Sequence, residues 1–239
     1  MIAGLTQNGI ARLIGESTAL PVRTVEPEPV HHDKEAAAYD AMVRRHAWLL
    51  NRPFVKMVSR LPLETGRVLD VGTGPGWIPI ELALRKPGWE IWAVDASEDM
   101  LVIARRHAEE AGVADRVHFV LGNAVDLPFT TGWFDVTLSH FLLHHIEQPA
   151  DLLDGLARVT RGGGRILVRD LIRQPRWKTL LLSAFTKLVL GYSKEQLQMY
   201  RESLASSLTV AELREALRGS RLCMASVRGM AGLELVISA

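Results

Sequence analysis

Three glycines that follow an apolar run are the residues best suited to hold a ligand. The run Arg67–Val71 predicts a β-strand, after which Gly72, Gly74 and Gly76 alternate with other residues until a helical pattern begins. Glycine permits unusual backbone angles and lets a ligand approach the chain closely. A helix that begins behind such a turn offers free N–H groups and positive potential. The pattern predicts a site for a carboxylate or phosphate group, with a ligand-free turn as the alternative.

The spacing of the glycines separates two kinds of ligand. A dinucleotide-binding turn needs small residues at its first, third and sixth positions, which here are Gly72, Gly74 and Trp77. The indole of Trp77 is too bulky for the sixth position. The pattern present is instead Asp70-x-Gly72-x-Gly74-x-Gly76, which resembles motif I of the class I methyltransferases that use S-adenosylmethionine (SAM).

This resemblance covers about residues 67–170 and extends to the flanking regions only in general layout. It implies methyl transfer from SAM to an O, N or C atom of a small-molecule acceptor, with S-adenosylhomocysteine as the product. The resemblance is strongest to the small-molecule branch that includes quinone and sterol methylation enzymes. Two alternatives stay open: a protein that binds SAM or a nucleotide without catalysis, and a nicotinamide-dependent dehydrogenase.

The resemblance also assigns roles to individual residues. Asp95 ends the predicted strand Glu90–Asp95, where the family binds the ribose hydroxyls of SAM; capping of the next helix is the alternative, although Ser97 is the better cap. Asn123 stands where the family usually has an Asp that faces adenine, and a ligand-free turn is its alternative. The other cofactor contacts implied by the resemblance are Tyr39, Asp70, Gly72, Thr73, Gly74, Gly76, Ala96, Met100, Ala124, Val125, Ser139 and His140.

A group of histidines follows the predicted strand Phe134–Leu138. His140 and His144 are candidate catalytic bases because imidazole titrates near neutral pH, and packing of the turn is the alternative. Zinc sites usually need three or four protein ligands, and the only cysteine, Cys223, is distant in sequence. We therefore predict no metal site.

Alternating strand and helix patterns predict an α/β fold, namely a doubly wound, mostly parallel seven-stranded sheet with helices on both faces. An N-terminal helical arm is expected over residues 1–34, and the methyltransferase domain over residues 35–239, beginning with a helical pattern from Glu35 to Leu61 that Pro53 interrupts. The predicted strands are Arg67–Val71, Glu90–Asp95, Val117–Leu121, Phe134–Leu138, Arg165–Val168, Leu222–Val227 and Leu233–Ser238.

An inserted helical lid is predicted at about residues 175–205. It carries apolar residues at helical spacing that could cover a lipophilic substrate, form a homodimer interface or pack on the sheet. A membrane contact is a weaker alternative, because the opposite helix face lacks strong charge. These residues are Trp177, Leu180, Leu181, Ala184, Phe185, Leu188 and Val189.

Composition narrows the partners and the compartment. The formal net charge of 239 residues is +1, which gives no support to nucleic-acid binding. Residues 139–142 read Ser-His-Phe-Leu where nucleic-acid methyltransferases often have Asn-Pro-Pro-Tyr, so no nucleic-acid partner is expected. One cysteine, no basic start before an apolar core, and no apolar run of spanning length predict a cytoplasmic protein without integral membrane contact.

Overall fold

A computed structural model describes residues 20–25, 33–230 and 234–239 and contains one seven-stranded sheet. The strand order is β3-β2-β1-β4-β5-β7-β6, in which β7 is antiparallel to both of its neighbours. The prediction of a mostly parallel, seven-stranded α/β sheet is confirmed. The strands are β1 Gly66–Val71, β2 Trp89–Asp95, β3 Val117–Leu121, β4 Phe134–His140, β5 Thr160–Leu171, β6 Ser226–Met230 and β7 Glu234–Ser238.

Eight α-helices are present in the described ranges. A 3₁₀ turn at Leu143–His145 follows β4, and a π-helical turn at Thr186–Leu190 extends the sixth helix. The helices are α1 Asp33–Leu50, α2 Arg52–Val58, α3 Trp77–Arg85, α4 Glu98–Glu110, α5 Pro149–Val159, α6 Arg176–Phe185, α7 Lys194–Ser206 and α8 Val210–Arg218.

The sheet is buried on both faces. Successive residues of β1 belong to different cores: Val68 packs in a cluster with α2 and α3, whereas Leu69 packs in a cluster with α5 and α8. Side chains of a strand alternate between faces, so an apolar run such as Val68–Val71 must be covered from two sides. The helices therefore lie on both faces, as the alternating pattern predicted.

A proline and a turn set the boundaries of two elements. Pro53 lies in the first turn of α2 and divides the helical pattern from Glu35 to Leu61 into two helices, as predicted. Proline supplies no N–H to a helix and is tolerated best at a helix start, which explains this division. The sixth strand, by contrast, begins at Ser226 rather than at the predicted Leu222, because the residues just before it form a turn that buries Leu222.

Only part of the predicted arm, residues 20–25, lies within the described part of the chain. This segment is extended, and Thr24 N donates to Ala205 O at the end of α7. Arg23 donates to Ser206 O at 2.8 Å and to Ile146 O at 2.7 Å, so it joins α7 to the turn after β4. The boundary between arm and domain stays a prediction.

The topology opens a crevice above β1 and β4. From β1 the chain crosses to β2 on one side, while β4 pairs with β1 on the other side. The loops after β1 and β4 run in opposite directions, so a space opens between them at the carboxyl ends of the two strands. Open α/β sheets bind ligands at such a point.

Candidate functional site

A cavity of about 760 Å³ lies at this edge of the sheet, within the size range of small-molecule sites. Its wall combines polar groups from the sheet with apolar and aromatic side chains from helices. The turns and strand ends contribute Asp70, Gly72, Thr73, Gly74, Asp95, His140 and His144. Helices α1 and α7 and the insertion contribute Tyr39, Met42, Val43, Tyr192, Met199 and Tyr200.

The glycine turn is held by the backbone of β2. The N–H groups of Gly72 and Thr73 both donate to Val94 O, at 2.9 and 3.0 Å. Gly72 has a φ of 74°, and a Cβ there would lie 2.8 Å from a methyl carbon of Leu142. The turn therefore requires glycine at this position both for conformation and for space.

Helix α1 covers the same turn. A Cβ at Gly74 would lie 3.9 Å from the Tyr39 ring, so the tyrosine sits over the turn, as the resemblance implied. Asp40, the next residue, accepts a 2.8 Å hydrogen bond from the indole N–H of Trp77 at the start of α3. Its other oxygen lies 3.4 Å from Nε2 of His107, whose ring packs on the same indole.

Gly76 serves packing rather than the cavity. Its φ is 80°, and a Cβ there would lie 2.8 Å from the Cβ of Ala104 on α4. It is not part of the cavity wall. The structure therefore does not place Gly76 as the direct ligand contact that the motif suggested; it lets α3 approach α4.

Asp95 lines the cavity and is oriented by two backbone groups. Its Oδ2 accepts from Gly74 N at 2.7 Å, and its Oδ1 accepts from Ser97 N at 3.0 Å. Ser97, not Asp95, caps α4 by accepting from Met100 N, as expected. Each carboxylate oxygen can accept more than one hydrogen bond, so the side chain keeps capacity for ligand hydroxyls.

Buried polar atoms without partners mark the carboxyl ends of β1 and β4. Asp70 Oδ2, Thr73 Oγ1 and Ser139 Oγ are buried and make no hydrogen bond within the described residues. Burial raises the pKa of Asp70 to about 7, and the negative charge of Asp95 adds to this rise. Unpaired buried polar atoms cost about 1–3 kcal/mol each, so a ligand with hydrogen-bond donors would relieve them. Asp70 and Thr73 line the cavity and fit the amino-acid part of SAM, whereas Ser139 lies outside the cavity wall and its cofactor role stays a prediction.

The residues expected at adenine lie outside the cavity wall. Asn123 is exposed, and its Oδ1 accepts from Val125 N at 3.0 Å, which is a local turn. Ala124 is 4% exposed and belongs to the core below α5, whereas Val125 and Ala96 face solvent. The structure does not bring these four residues into the cavity, and their cofactor role stays a prediction. Met100, by contrast, is buried and lines it.

His140 is poorly arranged for a base. Its Nε2 accepts from the Arg169 guanidinium at 3.2 Å, and its ring stacks on Phe54. Burial and the charge of Arg169 hold the pKa of His140 well below its usual value. Because its acceptor nitrogen is already engaged by a cation, this geometry disfavours the catalytic role predicted for His140.

His144 has the arrangement of an oriented base. Its Nδ1 lies 2.7 Å from Asp170 Oδ1, and its backbone N donates to Asp170 Oδ2 at 3.2 Å. Both side chains are 3% exposed, and His144 lines the cavity. A carboxylate only accepts, so Nδ1 carries a proton, and in the neutral imidazole Nε2 keeps its lone pair. The pair can therefore take a proton from a substrate.

The remaining wall is apolar and aromatic. Tyr192 and Tyr200 meet edge to face with centroids 6.4 Å apart, and the His46 ring lies 5.0 Å from Tyr192. Burial raises the pKa of Tyr200 to about 12, with Tyr192 and Glu234 adding to the rise, so its phenol stays protonated. This part of the cavity suits a lipophilic molecule with hydrogen-bonding groups.

Sequence reasoning missed Asp170 and Arg23. Asp170 is the last residue but one of β5, 26 residues after His144, and only the pairing of β4 with β5 brings the two together. Arg23 reaches the backbone of the His144 turn across 121 residues. Neither residue belongs to a local motif. The position of Asp170 at a strand's carboxyl end was the one available signal.

Neither a metal site nor a bilayer-spanning helix emerges in the described part of the chain. No three His, Cys, Asp or Glu side chains described there are grouped so that they could hold a metal ion. Among the same residues, no helix is both long and apolar enough to cross a bilayer.

The family model and the curated relatives that this chain matches are all methyltransferases. Residues 69–168 match the family model described as a methyltransferase domain. The chain is 35% identical over 128 residues to the ubiquinone/menaquinone biosynthesis C-methyltransferase UbiE of Cereibacter sphaeroides, covering 54% of this chain and 47% of that protein. It is 39% identical over 114 residues to a demethylmenaquinone methyltransferase of Clavibacter sepedonicus, covering 48% and 44%. The chain thus spans about half the length of these relatives.

A solved structure supports the fold. A SAM-dependent methyltransferase from Aquifex aeolicus superposes with a TM-score of 0.63 at 17% identity, covering 87% of this chain and 98% of that one. The matched segment 69–168 runs from the strand before the glycine turn to β5 and contains Gly72, Asp95 and His144. Residues 69–168 therefore match a methyltransferase domain, the chain has the fold of a SAM-dependent methyltransferase, and it resembles the quinone methyltransferases.

Proposed function

We propose that the protein transfers a methyl group from SAM to a carbon atom of a lipophilic, ring-containing small molecule. One observation carries the proposal: the cavity that holds the unpaired polar atoms of the glycine turn is also lined by His144, whose ring is held by the buried Asp170 behind it. The names of the two relatives support a quinone-type acceptor and carbon as the methylated atom.

The cofactor would be held by the sheet edge. Asp95 is positioned to accept from ribose hydroxyls, and Asp70 and Thr73 offer buried oxygens to the amino-acid portion. The bound cofactor supplies an electrophilic methyl group on a sulfonium. The chain's own contribution is to place the acceptor in line with that methyl group and to exclude water.

His144 would act as the base that removes a proton from the acceptor. Methylation of a ring carbon replaces a hydrogen, so a proton must leave the acceptor when the new carbon–carbon bond forms. His144 Nε2 accepts this proton, while Asp170 fixes the ring and stabilises the imidazolium that results. The residues that bind the cofactor and the residue that removes the proton are separate, so they can be tested separately.

The acceptor would lie against the helical wall. Met42, Val43 and Met199 supply apolar surface there, and Tyr192 and Tyr200 add phenols. A hydroxylated aromatic ring with an apolar substituent satisfies such a wall, because its ring packs on side chains while its hydroxyls meet polar groups.

The test is formation of S-adenosylhomocysteine in the presence of an acceptor panel. We expect product with reduced, ring-demethylated naphthoquinols or benzoquinols and much less with hydrophilic amines. Methylated product identified by mass spectrometry and proton NMR would locate the new methyl on carbon. Binding of SAM by calorimetry without turnover on any acceptor would instead favour the non-catalytic binding protein.

The dehydrogenase alternative is tested on the same sample. Trp77 starts the helix behind the glycine turn, so ligand binding should change tryptophan emission. We expect SAM to quench this emission and NADH to leave it unchanged. Quenching by NADH at a comparable concentration would contradict the assignment of the turn to SAM.

A further inference from the structure

Helix α6 and the π-helical turn after it expose their apolar side and bury their polar side. Ser183 is 1% exposed and Thr186 is 7% exposed, and Ser183 Oγ accepts from the Arg201 guanidinium of α7 at 3.0 Å. The residues that face outward are large and apolar, with exposures between 44% and 87%. They form the apolar stripe, which consists of Trp177, Leu180, Leu181, Phe185, Leu188 and Val189.

The apolar stripe is a continuous surface. Its members recur at spacings of three and four residues, which places them on one side of a helix, and exposed Ala184 lies among them. The expectation that this face packs on the sheet is therefore wrong. A surface helix normally buries such a stripe, and a large exposed apolar patch marks a site of contact with another body.

The charged residues of the segment that carries the stripe have one sign. Between Gln174 and Lys194 the chain has four basic residues and no acidic residue, whereas the formal net charge of the whole chain is only +1. In α6, at about 100° per residue, Arg176 lies on one flank of the stripe and Lys178 near the other, and exposed Lys187 belongs to the π-helical turn that carries Leu188 and Val189. Basic side chains that flank an apolar face are typical of helices that lie in a membrane interface.

The charge also distinguishes two partners for the apolar stripe, a second copy of the chain and a lipid bilayer. In a two-fold dimer the same patch would face itself, so the basic flanks would meet basic flanks without any acidic partner in this segment. An anionic bilayer offers both an apolar layer for the stripe and opposite charge for its flanks. We propose that the apolar stripe docks on the surface of a bilayer that contains anionic lipids.

Docking there would bring the cavity to the membrane. Tyr192 and Ser193, which follow the π-helical turn directly, line the cavity, and α7, which is joined to α6 by Arg201 and Ser183, contributes Met199 and Tyr200 to it. The helical wall of the cavity would then lie at the lipid surface. The next step rests on the proposed function: the acceptor is a molecule that partitions into the bilayer and reaches the cavity from it.

The first experiment measures vesicle binding by flotation, without cofactor or acceptor. Vesicles of phosphatidylcholine mixed with phosphatidylglycerol should carry the protein upward, phosphatidylcholine alone should carry less, and added salt should weaken the difference. Leu181→Ser combined with Leu188→Ser should lower the partition coefficient by at least about tenfold. Lys187→Gln should lower it about fivefold.

A matched pair of exposed apolar residues serves as control. Leu84 on α3 is 58% exposed and Val102 on α4 is 57% exposed, and both lie outside the stripe. Leu84→Ser combined with Val102→Ser should keep wild-type partition. An equal drop in vesicle partition for both double variants would overturn the proposal. So would a wild-type protein that binds neither kind of vesicle. A dimer in light scattering that only the Leu181 and Leu188 changes dissociate would assign the stripe to a second copy instead.

A second experiment separates docking from catalysis. With an acceptor dispersed in detergent, the Leu181→Ser, Leu188→Ser variant should form S-adenosylhomocysteine at the wild-type rate, and with the acceptor in anionic vesicles it should lose most of that rate. A loss of activity both in detergent and in vesicles would contradict delivery of the acceptor from the bilayer. Absence of product from wild type in detergent would count against the proposed function alone, because the flotation result does not depend on it.

Discussion

The two sides of the cavity are built in different ways. The cofactor side is a continuous piece of chain, in which β1, the glycine turn and the end of β2 fix one another through hydrogen bonds such as Thr73 N to Val94 O and Gly74 N to the Asp95 carboxylate. The acceptor side combines α1, the end of β5 and α7, which are far apart in sequence. A ligand common to a family can be held by a local motif, whereas an individual acceptor is held by side chains that only the fold assembles.

Because the two sides are built separately, we expect a substitution on one side of the cavity to leave the function of the other side unchanged. The largest effect is expected for His144→Gln, which removes the base and should lower kcat by about 10²–10⁴-fold. Affinity for S-adenosylhomocysteine should stay at the wild-type value, because His144 does not belong to the glycine turn. Turnover and calorimetry on one preparation measure both.

Two further variants sharpen this result. Asp170→Asn should also lower kcat, because an amide favours the wrong tautomer of His144. His118→Gln is the matched control, since its ring pairs with Glu90 on the exposed part of the sheet. A normal kcat for His144→Gln would remove the base from the proposal.

Next in size is Gly72→Ala. Its Cβ meets Leu142 and its φ of 74° strains alanine, so we expect lower thermal stability and a loss of S-adenosylhomocysteine affinity of more than about tenfold. Gly112→Ala is the control, because Gly112 has a φ of 68° with open space around its Cβ. It should show the backbone cost without the loss of affinity. Equal affinity in both variants would contradict the assignment of the turn.

Asp95→Ala should weaken cofactor binding by about tenfold, through loss of charge-assisted hydrogen bonds to the ribose. Loss of the acceptor for Gly74 N would loosen the turn as well. Asp115→Ala, at an exposed aspartate before β3, should leave affinity unchanged. Calorimetry with S-adenosylhomocysteine measures both, and unaltered binding by Asp95→Ala would exclude this residue from the site.

The smallest expected effect is a pH dependence that originates at Asp70. Its pKa is raised from 3.8 to about 7, so the folded protein binds this proton more tightly than the unfolded chain. The contribution of Asp70 to stability therefore falls as pH rises from about 4 to about 7. Asp70→Asn should flatten this dependence, which melting temperatures at pH 5 and pH 8 would reveal.

The same carboxyl group should affect the cofactor. Deprotonated Asp70 attracts a ligand ammonium group, so affinity should increase a few-fold as pH passes through about 7, and Asp70→Asn should remove the increase. Calorimetry at pH 6 and pH 8 would measure this. An increase that persists in the variant would assign the titration to another group.

Much of the fold could be predicted from the sequence. Apolar residues that recur at every second position indicate the buried face of a strand, and those that recur every three to four positions indicate the buried face of a helix. The parallel direction of β1 to β5 and the split at Pro53 follow from local patterns. The register of β4 against β5, which places Asp170 beside His144, does not, because strand pairing is decided between segments that are distant in sequence.

The sequence by itself determined the glycine turn, the acidic end of β2 and the class of ligand that they suit. These features depend on a few consecutive residues whose backbone preferences and hydrogen bonds are local. Only the tertiary structure decided that His140 faces an arginine while His144 faces an aspartate, and that the apolar stripe points outward. Spacing places residues on one face of a helix, but only packing against the rest of the chain decides which way that face turns.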